Sequence, residues 1–378
     1  MIEHRPSQWR LWMVSALLGL GAGLCAVHPA LAQAKQQGTV KKPKADKPDR
    51  APDDTAPLSK FFESEEPLPI TLTLNIKRIR GDKDDNAPWR DATISYTPPG
   101  ASAPEVLPLK LKTHGIWRLN HCDFPPIRLD FSKDNTKKTI FAGLNKPKLT
   151  NFCRDDDLYE RYVLQELQAY RIYWTLTHNS HAVRALKVTY VDSATGKPLT
   201  TRYAFIQEDP ARMSARLGGK ILAIKGAGPG DTQAGTMVMM SVFEYLIGNT
   251  DWSISGLHNV ELFARNDGND PFPIARDFDF AGLVNARYAT VDPRLRIRNV
   301  RDRLYRGYCA ADEEYPKTFA LFDSKKDAIY GLYHDKVGSL LPADLVTETL
   351  KYFDEFYKTI DNPKNAKSDI VEACSGKR

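Results

Sequence analysis

Zinc-binding cysteine pairs, glycine-rich phosphate loops and a large excess of charge are all missing from this 378-residue sequence. Its five cysteines form no C-x-x-C pair, so their spacing does not favour a zinc ribbon. It has no G-x-G-x-x-G motif, the sequence that usually covers nucleotide phosphates in protein kinases. The net charge is only +6, which does not by itself imply a polyanionic partner, and we expect no nucleic-acid binding.

The N-terminus has the pattern of a cleavable secretion signal. A basic stretch precedes an uncharged apolar run at 11–27, which is followed by a small-residue triplet at 30–32. This order is typical of a signal peptide, and the run is at the short end of the roughly 17–25 residues that a membrane span needs. We therefore expect a signal peptide at 1–32 and a periplasmic or secreted mature protein without a transmembrane span.

The rest of the chain divides into a polar segment and a large region rich in apolar residues. The polar segment is dominated by Lys, Pro and Asp, so it cannot bury enough apolar surface to offset the entropy of ordering. Its charges alternate in sign, which favours a solvated linker over a binding tail. We expect a disordered linker at 33–60, a β-rich lobe at 61–208 and a helical lobe at 209–378.

Four cysteines remain after the expected signal: Cys122, Cys153, Cys309 and Cys374. An even number of cysteines in an oxidising compartment indicates disulfides. Three pairings are possible, and the sequence does not decide between them. Our working pairing joins Cys122 to Cys153 and Cys309 to Cys374, because each pair is close in the order of elements; free buried thiols are the alternative.

Alternating apolar and polar residues predict strands in the first half of the chain. The predicted strands are 70–77, 92–96, 106–112 and 127–131, then 183–191 and 201–207, which form a hairpin. Between them, helical spacing of apolar residues predicts one helix that begins near 155. Further helices are predicted at 238–247 and from Pro342 onward, and a short strand at 273–275.

Three polar residues of the second half lie in the order that phosphoryl transfer uses. Asp251 follows a helix, Asn259 follows a short loop, and Asp277 follows a short strand. In such sites one aspartate takes the proton of the acceptor hydroxyl, while the asparagine and the second aspartate hold a metal ion on the phosphates. Magnesium and similar hard cations prefer these oxygen ligands.

The motifs around these residues resemble the catalytic core of atypical, kinase-like phosphotransferases. They are GNTDWS at 248–253, HNVELF at 258–263 and ARDFDFAG at 275–282. The arrangement is most similar to the spore-coat CotH kinase family over about 72–356, with 251–282 as the specific part. This resemblance implies an α+β, two-lobed protein-kinase-like fold, with an N-terminal antiparallel sheet that carries one helix and a mostly helical C-terminal lobe.

The resemblance also implies a role for each residue of a site that binds ATP and Mg²⁺ or Mn²⁺. Asp251 is the expected catalytic residue. Asn259, Asp277 and Asp279 are the expected metal-binding residues. The nucleotide is expected to contact Lys148, its helix partner Glu166, Gly115, Arg118, Gln207 and Glu208, the last two beside the adenine. Lys146 or Arg128 could replace Lys148.

The sequence departs from ordinary kinases in one spacing. Asp251 and Asn259 are eight positions apart, whereas the corresponding residues of ordinary kinases are five apart, so a longer loop must be accommodated. Each residue also has a structural alternative: Asp251 could cap a turn, Asn259 could form one, and Asp277 with Asp279 could be a solvated strand end.

Two further clusters invite a functional interpretation. His178 and His181 have the look of a metal pair, but no acidic residue accompanies them, so we do not expect a metal there. Six arginines crowd the stretch after Asp279: Arg294, Arg296, Arg298, Arg301, Arg303 and Arg306. They indicate either a solvated basic face or a contact with an acidic or phosphorylated substrate.

Three functions remain open from the sequence. The first is an exported atypical kinase that transfers a nucleotide phosphoryl group to a protein hydroxyl. The second is a catalytically silent relative that binds a protein or cell-envelope partner. The third is a metal-dependent hydrolase that uses the same carboxylates with water as the acceptor.

Overall fold

A closed β-barrel accounts for most of the first half of the protein. The computed structural model describes residues 56–84, 86–115 and 117–376. The barrel has seven strands: β1 Leu68–Leu74, β2 Arg90–Tyr96, β3 Glu105–Thr113, β4 Ile127–Asp130, β5 Lys148–Thr150, β6 Val183–Asp192 and β7 Pro198–Gln207. Their order around the barrel is β1-β2-β3-β4-β5-β7-β6. All neighbours are antiparallel except β1 and β6, which pair in parallel and close the barrel.

Period-two alternation of side chains fills the inside of the barrel. In β3, Leu107, Leu109 and Leu111 are buried, and the residues between them are more exposed. The inward residues of the other strands form one apolar cluster with aromatic residues such as Phe124 and Phe152. The interior is therefore a packed core, as expected of a small barrel, and functional groups lie on its outer wall.

Three short helices and one long helix of the described residues accompany the barrel: α1 Ile76–Gly81, α2 Trp117–His121, α3 Lys133–Thr136 and the 20-residue α4 Asp157–Leu176. Helix α4 begins where its sequence predicts, because the side chain of Asp156 accepts a hydrogen bond from the amide of Leu158 at 2.7 Å. Its buried residues pack with the helical second half and with a few barrel residues. The helix thus connects the outer wall of the barrel to the second half of the protein.

The second half consists of helices around a small sheet. Its elements are α5 Pro210–Leu217, β8 Gly219–Leu222, α6 Ala234–Ile247, β9 Val260–Arg265, β10 Phe272–Ala275, α7 Glu314–Gly331, α8 Ala343–Ile360 and α9 Pro363–Ala366. Short 3-10 turns lie at Lys60–Phe62, Pro229–Asp231 and Gly338–Leu340, and a π-helical turn at Lys367–Val371. Strands β8, β9 and β10 form an antiparallel sheet in the order β10-β9-β8.

The predicted kinase-like, two-lobed fold is wrong. The expected antiparallel sheet with one helix is instead a closed mixed barrel, accompanied in the described residues by four α-helices. Closure depends on the parallel register from Leu68 with Leu186 to Leu74 with Asp192, which joins segments more than a hundred residues apart. Alternation in a sequence identifies strands but not their partners. The strand pattern therefore did not predict that β1 pairs with β6 and closes the barrel.

The strand and helix positions themselves were largely correct. One clear difference is at the end of the first strand, predicted to reach Lys77 but ending at Leu74. There the side chain of Asn75 accepts a hydrogen bond from the amide of Arg78 and begins α1. Helix α8 begins just after Pro342, as predicted.

Both disulfides of the working pairing are present, Cys122–Cys153 and Cys309–Cys374. Such cross-links fit an extracellular or periplasmic protein. Within the described ranges, no helix is long and apolar enough to cross a membrane. The predicted signal peptide and most of the predicted linker lie outside the described residues; at the end of the linker, the amide of Ala56 donates to the carbonyl of Ala215.

Candidate functional site

An ion pair between Lys148 and Asp277 joins the barrel wall to the second half of the protein. Lys148 lies on β5 and Asp277 two residues after β10, and the lysine Nζ is 2.8 Å from Asp277 Oδ1. The backbone amide of Asp277 donates to the Tyr170 hydroxyl at 2.8 Å, and that hydroxyl donates to Gln207 at 3.1 Å. Gln207 is the cross-strand neighbour of Lys148 on β7, so the predicted phosphate and adenine residues are adjacent.

Buried charges surround this ion pair. Glu166, in the middle of α4, is only 2% exposed, and its Oε1 has no hydrogen-bond partner in the described part of the chain. Burial, together with the negative charge of Asp279, raises the pKa of Glu166 to about 8. Burial and the charge of Asp277 likewise raise the pKa of Asp279, whose carboxylate accepts a hydrogen bond from Tyr288 at 3.3 Å.

Arg118 on α2 adds a second cation to this group. Its guanidinium donates to the backbone carbonyl of Asn151, while its Nε is buried without a partner among the described residues. Burial lowers the pKa of Arg118, but the nearby Tyr288 and acidic groups, Asp279 foremost, outweigh it. We call Arg118, Lys148, Glu166, Asp277 and Asp279 the buried charge cluster, in which Glu166 is fully buried and the other four are partly exposed.

Within this cluster, Lys148 pairs with Asp277 rather than with Glu166, the partner that the resemblance implied. Burial opposes both charged forms, but the Lys148 ammonium outweighs it and lowers the pKa of Asp277, so the carboxylate is ionised. The uncompensated acid of the cluster is consequently Glu166, and its raised pKa is the physical result. A cation or a hydrogen-bond acceptor that entered the cluster would find partners in Glu166 and Arg118.

Asp251 and Asn259 form a second group beside the cluster. Gly248 ends α6 in the left-handed region, and Asp251 follows in the loop. The Asn259 amide donates to the Asp251 carbonyl at 2.7 Å and to its carboxylate at 3.0 Å, while His258 Nε2 lies 2.9 Å from the other carboxylate oxygen. The longer loop between Asp251 and Asn259 is accommodated by one antiparallel β-bridge, in which Ser253 and His258 exchange two backbone hydrogen bonds.

The two groups are linked through the backbone. The carbonyl of Asn259 accepts a hydrogen bond from the amide of Arg276 at 3.0 Å, and Asp277 is the next residue. Asn259 and Asp277 both have positive φ, 53° and 63°, which only a few non-glycine residues adopt. Strain of this kind is often found at functional sites, and here it presents two polar side chains from one end of the β9–β10 pair.

Gly115 and Glu208 are the remaining predicted residues. Gly115 is in the turn after β3 with φ of 91° and lines a cavity on the barrel wall. Glu208 is 1% exposed and pairs with Arg216 at 2.8 Å, so its carboxylate stabilises the connection to α5. Its expected contact with the adenine stays a prediction.

The histidine pair has structural roles. His181 is buried, with Nδ1 2.9 Å from the Glu208 carbonyl and Nε2 2.9 Å from Glu261. His178 stacks on Trp174 with ring centroids 4.4 Å apart. In the described residues, no group of three or more His, Cys, Asp or Glu side chains is placed to hold a metal ion.

The six arginines at 294–306 fall into two groups, one held by contacts with the protein and one more exposed. Arg301 and Arg303 lie on the ring of Tyr352, at 4.5 and 3.6 Å from its centroid. Arg306 donates to the backbone carbonyls of Thr250 and Trp252 and so holds the loop that carries Asp251. The other three arginines are more exposed, although Arg294 pairs with Asp292 and Arg298 with Asp302.

Sequence reasoning missed a cluster of basic residues and one buried acid. The cluster lines a cavity of about 450 Å³, formed by Trp89, Lys112, His114, Gly115, Arg128 and Lys146. Its residues come from separate elements, so no local sequence motif predicted the cavity. The acid is Glu244 on α6, whose two carboxylate oxygens are buried without partners in the described ranges; burial raises its pKa well above the usual value.

No protein-family model matches the chain, and no curated protein matches it. The resemblance to the spore-coat kinase family consequently stays a prediction, supported by the motifs alone. The function has to be argued from the chemistry of the buried charge cluster and of Asp251.

Proposed function

We propose that the protein transfers a phosphoryl group from a nucleotide such as ATP to the hydroxyl of a protein acceptor, in the periplasm or outside the cell. The observation that carries the proposal is the Lys148–Asp277 ion pair, with Arg118 and the buried Glu166 beside it. Phosphoryl transfer depends mainly on positioning and on compensation of phosphate charge, which suits a group that contains two cations.

The two cations of the cluster would bind phosphate oxygens. Lys148 holds its charge, because Asp277 raises its pKa against the opposing effect of burial. A phosphate oxygen would bind Lys148 either together with Asp277 or in place of Asp277. The Nε of Arg118 has no partner among the described residues, so it supplies a hydrogen bond that a phosphate oxygen can satisfy.

Asp251 would accept the proton of the acceptor hydroxyl. Its carboxylate is 39% exposed, so an acceptor can reach it, and Asn259 with His258 fixes its direction. It belongs to a loop that Arg306 ties to the body of the protein. A carboxylate held in one orientation is suited to general base catalysis.

The donor set fits a Mg²⁺ or Mn²⁺ ion that takes its other ligands from phosphate and water. Asp277 has one carboxylate oxygen outside the Lys148 contact, and Asn259 uses its amide nitrogen on Asp251, which leaves the amide oxygen for a cation. Magnesium commonly binds proteins through one or two such oxygens and keeps several waters. The ion would neutralise phosphate charge near Lys148.

A second candidate, binding of a protein or cell-envelope partner without catalysis, has one observation in its favour. Asp277 is already neutralised by Lys148, so this carboxylate does not need a metal ion to balance its charge. In that case Asp251 and Asn259 would be a rigid surface feature, and no phosphate would leave the nucleotide.

Labelled ATP with Mg²⁺ or Mn²⁺ tests the proposal on the mature protein and two variants. We expect transfer by the wild type, its loss in Asp251→Ala with nucleotide binding retained, and loss of metal-dependent nucleotide binding in Asp277→Asn. Asp267→Asn, in the exposed β9–β10 turn, is the matched control and should behave as wild type. Binding without transfer by the wild type would favour the second candidate, and absence of both would refute the proposed function.

A further inference from the structure

A row of cations crosses the outer wall of the barrel. Lys112 on β3 is opposite Arg128 on β4, and Arg128 is opposite Lys148 on β5. Residues directly opposite each other project from the same face of a sheet, and adjacent strands are about 4.8 Å apart. The intervening Leu111, Leu129 and Leu149 point into the core, so the charged row faces outward.

One end of this row opens into the cavity lined by Trp89, Lys112, His114, Gly115, Arg128 and Lys146, which we call the basic cavity. It contains three cationic side chains, and none of these six lining residues is acidic. At its rim, Lys146 pairs with Asp130 at 3.7 Å. The guanidinium of Arg128 makes no ion pair or hydrogen bond within the described part of the chain.

Trp89 places two of the cations. The ammonium groups of Lys112 and Lys146 lie 5.6 and 5.4 Å from the centroid of its ring, within the range of cation–π attraction. The Trp89 ring therefore holds both ammonium groups at the cavity. Since the two lysines already contact the ring, we do not expect a nucleobase to stack on it. His114 adds a ring Nε2 that is buried without a partner among the described residues.

We propose that the basic cavity binds a ligand with two or more phosphate-type oxyanion groups, at a site distinct from the Lys148–Asp277 pair. Cations at strand spacing match several anionic groups better than one, and the volume exceeds what a single phosphate fills. This site does not depend on phosphoryl transfer. The ligand would be a small molecule, because the cations line a cavity and do not extend over a broad face.

Calorimetric titration of the mature protein tests the proposal with inorganic phosphate, pyrophosphate and tripolyphosphate in metal-free buffer. We expect tripolyphosphate to bind about tenfold or more tightly than phosphate, since each added contact to a charged group contributes on this scale. Arg128→Met should weaken tripolyphosphate binding about tenfold, and Lys146→Ala should weaken it in the same direction. The Lys146 variant keeps the test valid if Arg128→Met does not fold.

Lys110→Ala is the matched control. It removes the same unit charge from β3, but Lys110 lies outside the cavity, 60% exposed beside Asp91. Its affinity for tripolyphosphate should equal that of wild type. Equal affinities for phosphate and tripolyphosphate, or equal losses in Lys110→Ala and Lys146→Ala, would overturn the proposal. Tripolyphosphate binding without transfer from ATP would instead refute the proposed function and leave this site standing.

Discussion

Lys148 Nζ lies 2.8 Å from Asp277 Oδ1, although 129 residues separate the two in the chain. The contact connects the shortest barrel strand to the end of β10, which pairs with the strand after Asn259. Its lysine is also the last cation of the row on the barrel wall. One ion pair therefore connects the candidate phosphate residues with the loop that holds Asp251.

Asp277→Asn should lower the free energy of unfolding by about 1–3 kcal/mol, because it leaves the half-buried Lys148 ammonium without its anionic partner. The same change should strengthen the binding of inorganic phosphate, since Lys148 is released. Urea unfolding and calorimetric titration measure the two effects.

The matched control is Asp134→Asn. Asp134 also lies 2.8 Å from a lysine, Lys137, but the side chains are 84% and 71% exposed. Exposed pairs of this kind contribute less than about 1 kcal/mol. If the two variants lose equal stability, or if phosphate binds Asp277→Asn no better than wild type, the account of the Lys148–Asp277 pair is wrong.

The two disulfides should differ in their effect on binding. Replacement of Cys122 and Cys153 by serine should lower stability by about 2–4 kcal/mol and also weaken binding of ATP. The bridge fixes the segment after α2: the Cys122 amide donates to the Arg118 carbonyl, and the Asp123 amide donates to the Cys153 carbonyl. Its loss would therefore release Arg118 from the buried charge cluster.

Replacement of Cys309 and Cys374 is the control, since that bridge connects the segment before α7 to the C-terminal residues. A similar loss of stability is expected, with ATP affinity unchanged. Equal weakening of ATP binding by both pairs of substitutions would show that global loosening, and not the position of Arg118, is responsible.

Much of the local structure could be read from the sequence. The strand in which Leu107, Leu109 and Leu111 alternate with polar residues was located within a residue at each end. The helix signal near Asp156 was equally direct. These features depend on residues that are close in the chain, so the spacing of apolar residues and the capping residues are enough to predict them.

The barrel closure and the basic cavity could not be read in this way. Closure requires β1 to pair with β6, and the cavity requires Trp89 to meet Lys146, which belong to distant segments. The candidate site falls between these cases. Asp251 and Asn259 were placed together by a local motif, whereas Lys148 contacts Asp277 and not the predicted Glu166.

Glu166 should make stability depend on pH. Its pKa is about 8 in the folded protein against an ordinary 4.5, so between these values the folded state keeps a proton that the unfolded state has lost. The free energy of unfolding therefore falls as the pH rises through this window. Glu166→Gln should reduce that fall, measured by urea unfolding between pH 6.5 and 8.

His114→Gln is the control for this measurement. Burial and the charges of Lys148 and Arg128 lower the pKa of His114 to about 3, against an ordinary 6.5. His114 thus favours folding as the pH rises from 3 to 6.5 and has no such effect above 6.5. If Glu166→Gln and wild type show the same slope above pH 6.5, Glu166 does not hold a proton at neutral pH.

Asn259 allows the contribution of a side chain to be separated from that of backbone conformation. Its φ of 53° is tolerated by asparagine and glycine but strains alanine by about 1–2 kcal/mol. Asn259→Gly and Asn259→Ala both remove the two hydrogen bonds to Asp251, and only the alanine adds strain. After allowance for the greater freedom of unfolded glycine, we expect Asn259→Ala to be less stable by about 1 kcal/mol.

If the amide of Asn259 orients Asp251 and supplies an oxygen to the metal, both variants should lose metal-dependent transfer to the same degree, despite their different stabilities. Urea unfolding gives the stability difference, and labelled ATP gives the transfer. A third variant, Asn259→Asp, keeps an oxygen for the metal but sets a second negative charge against Asp251, so metal binding should survive better than transfer. If Asn259→Gly transfers phosphate as fast as the wild type, the backbone alone positions Asp251, and the proposed role of the Asn259 amide is wrong.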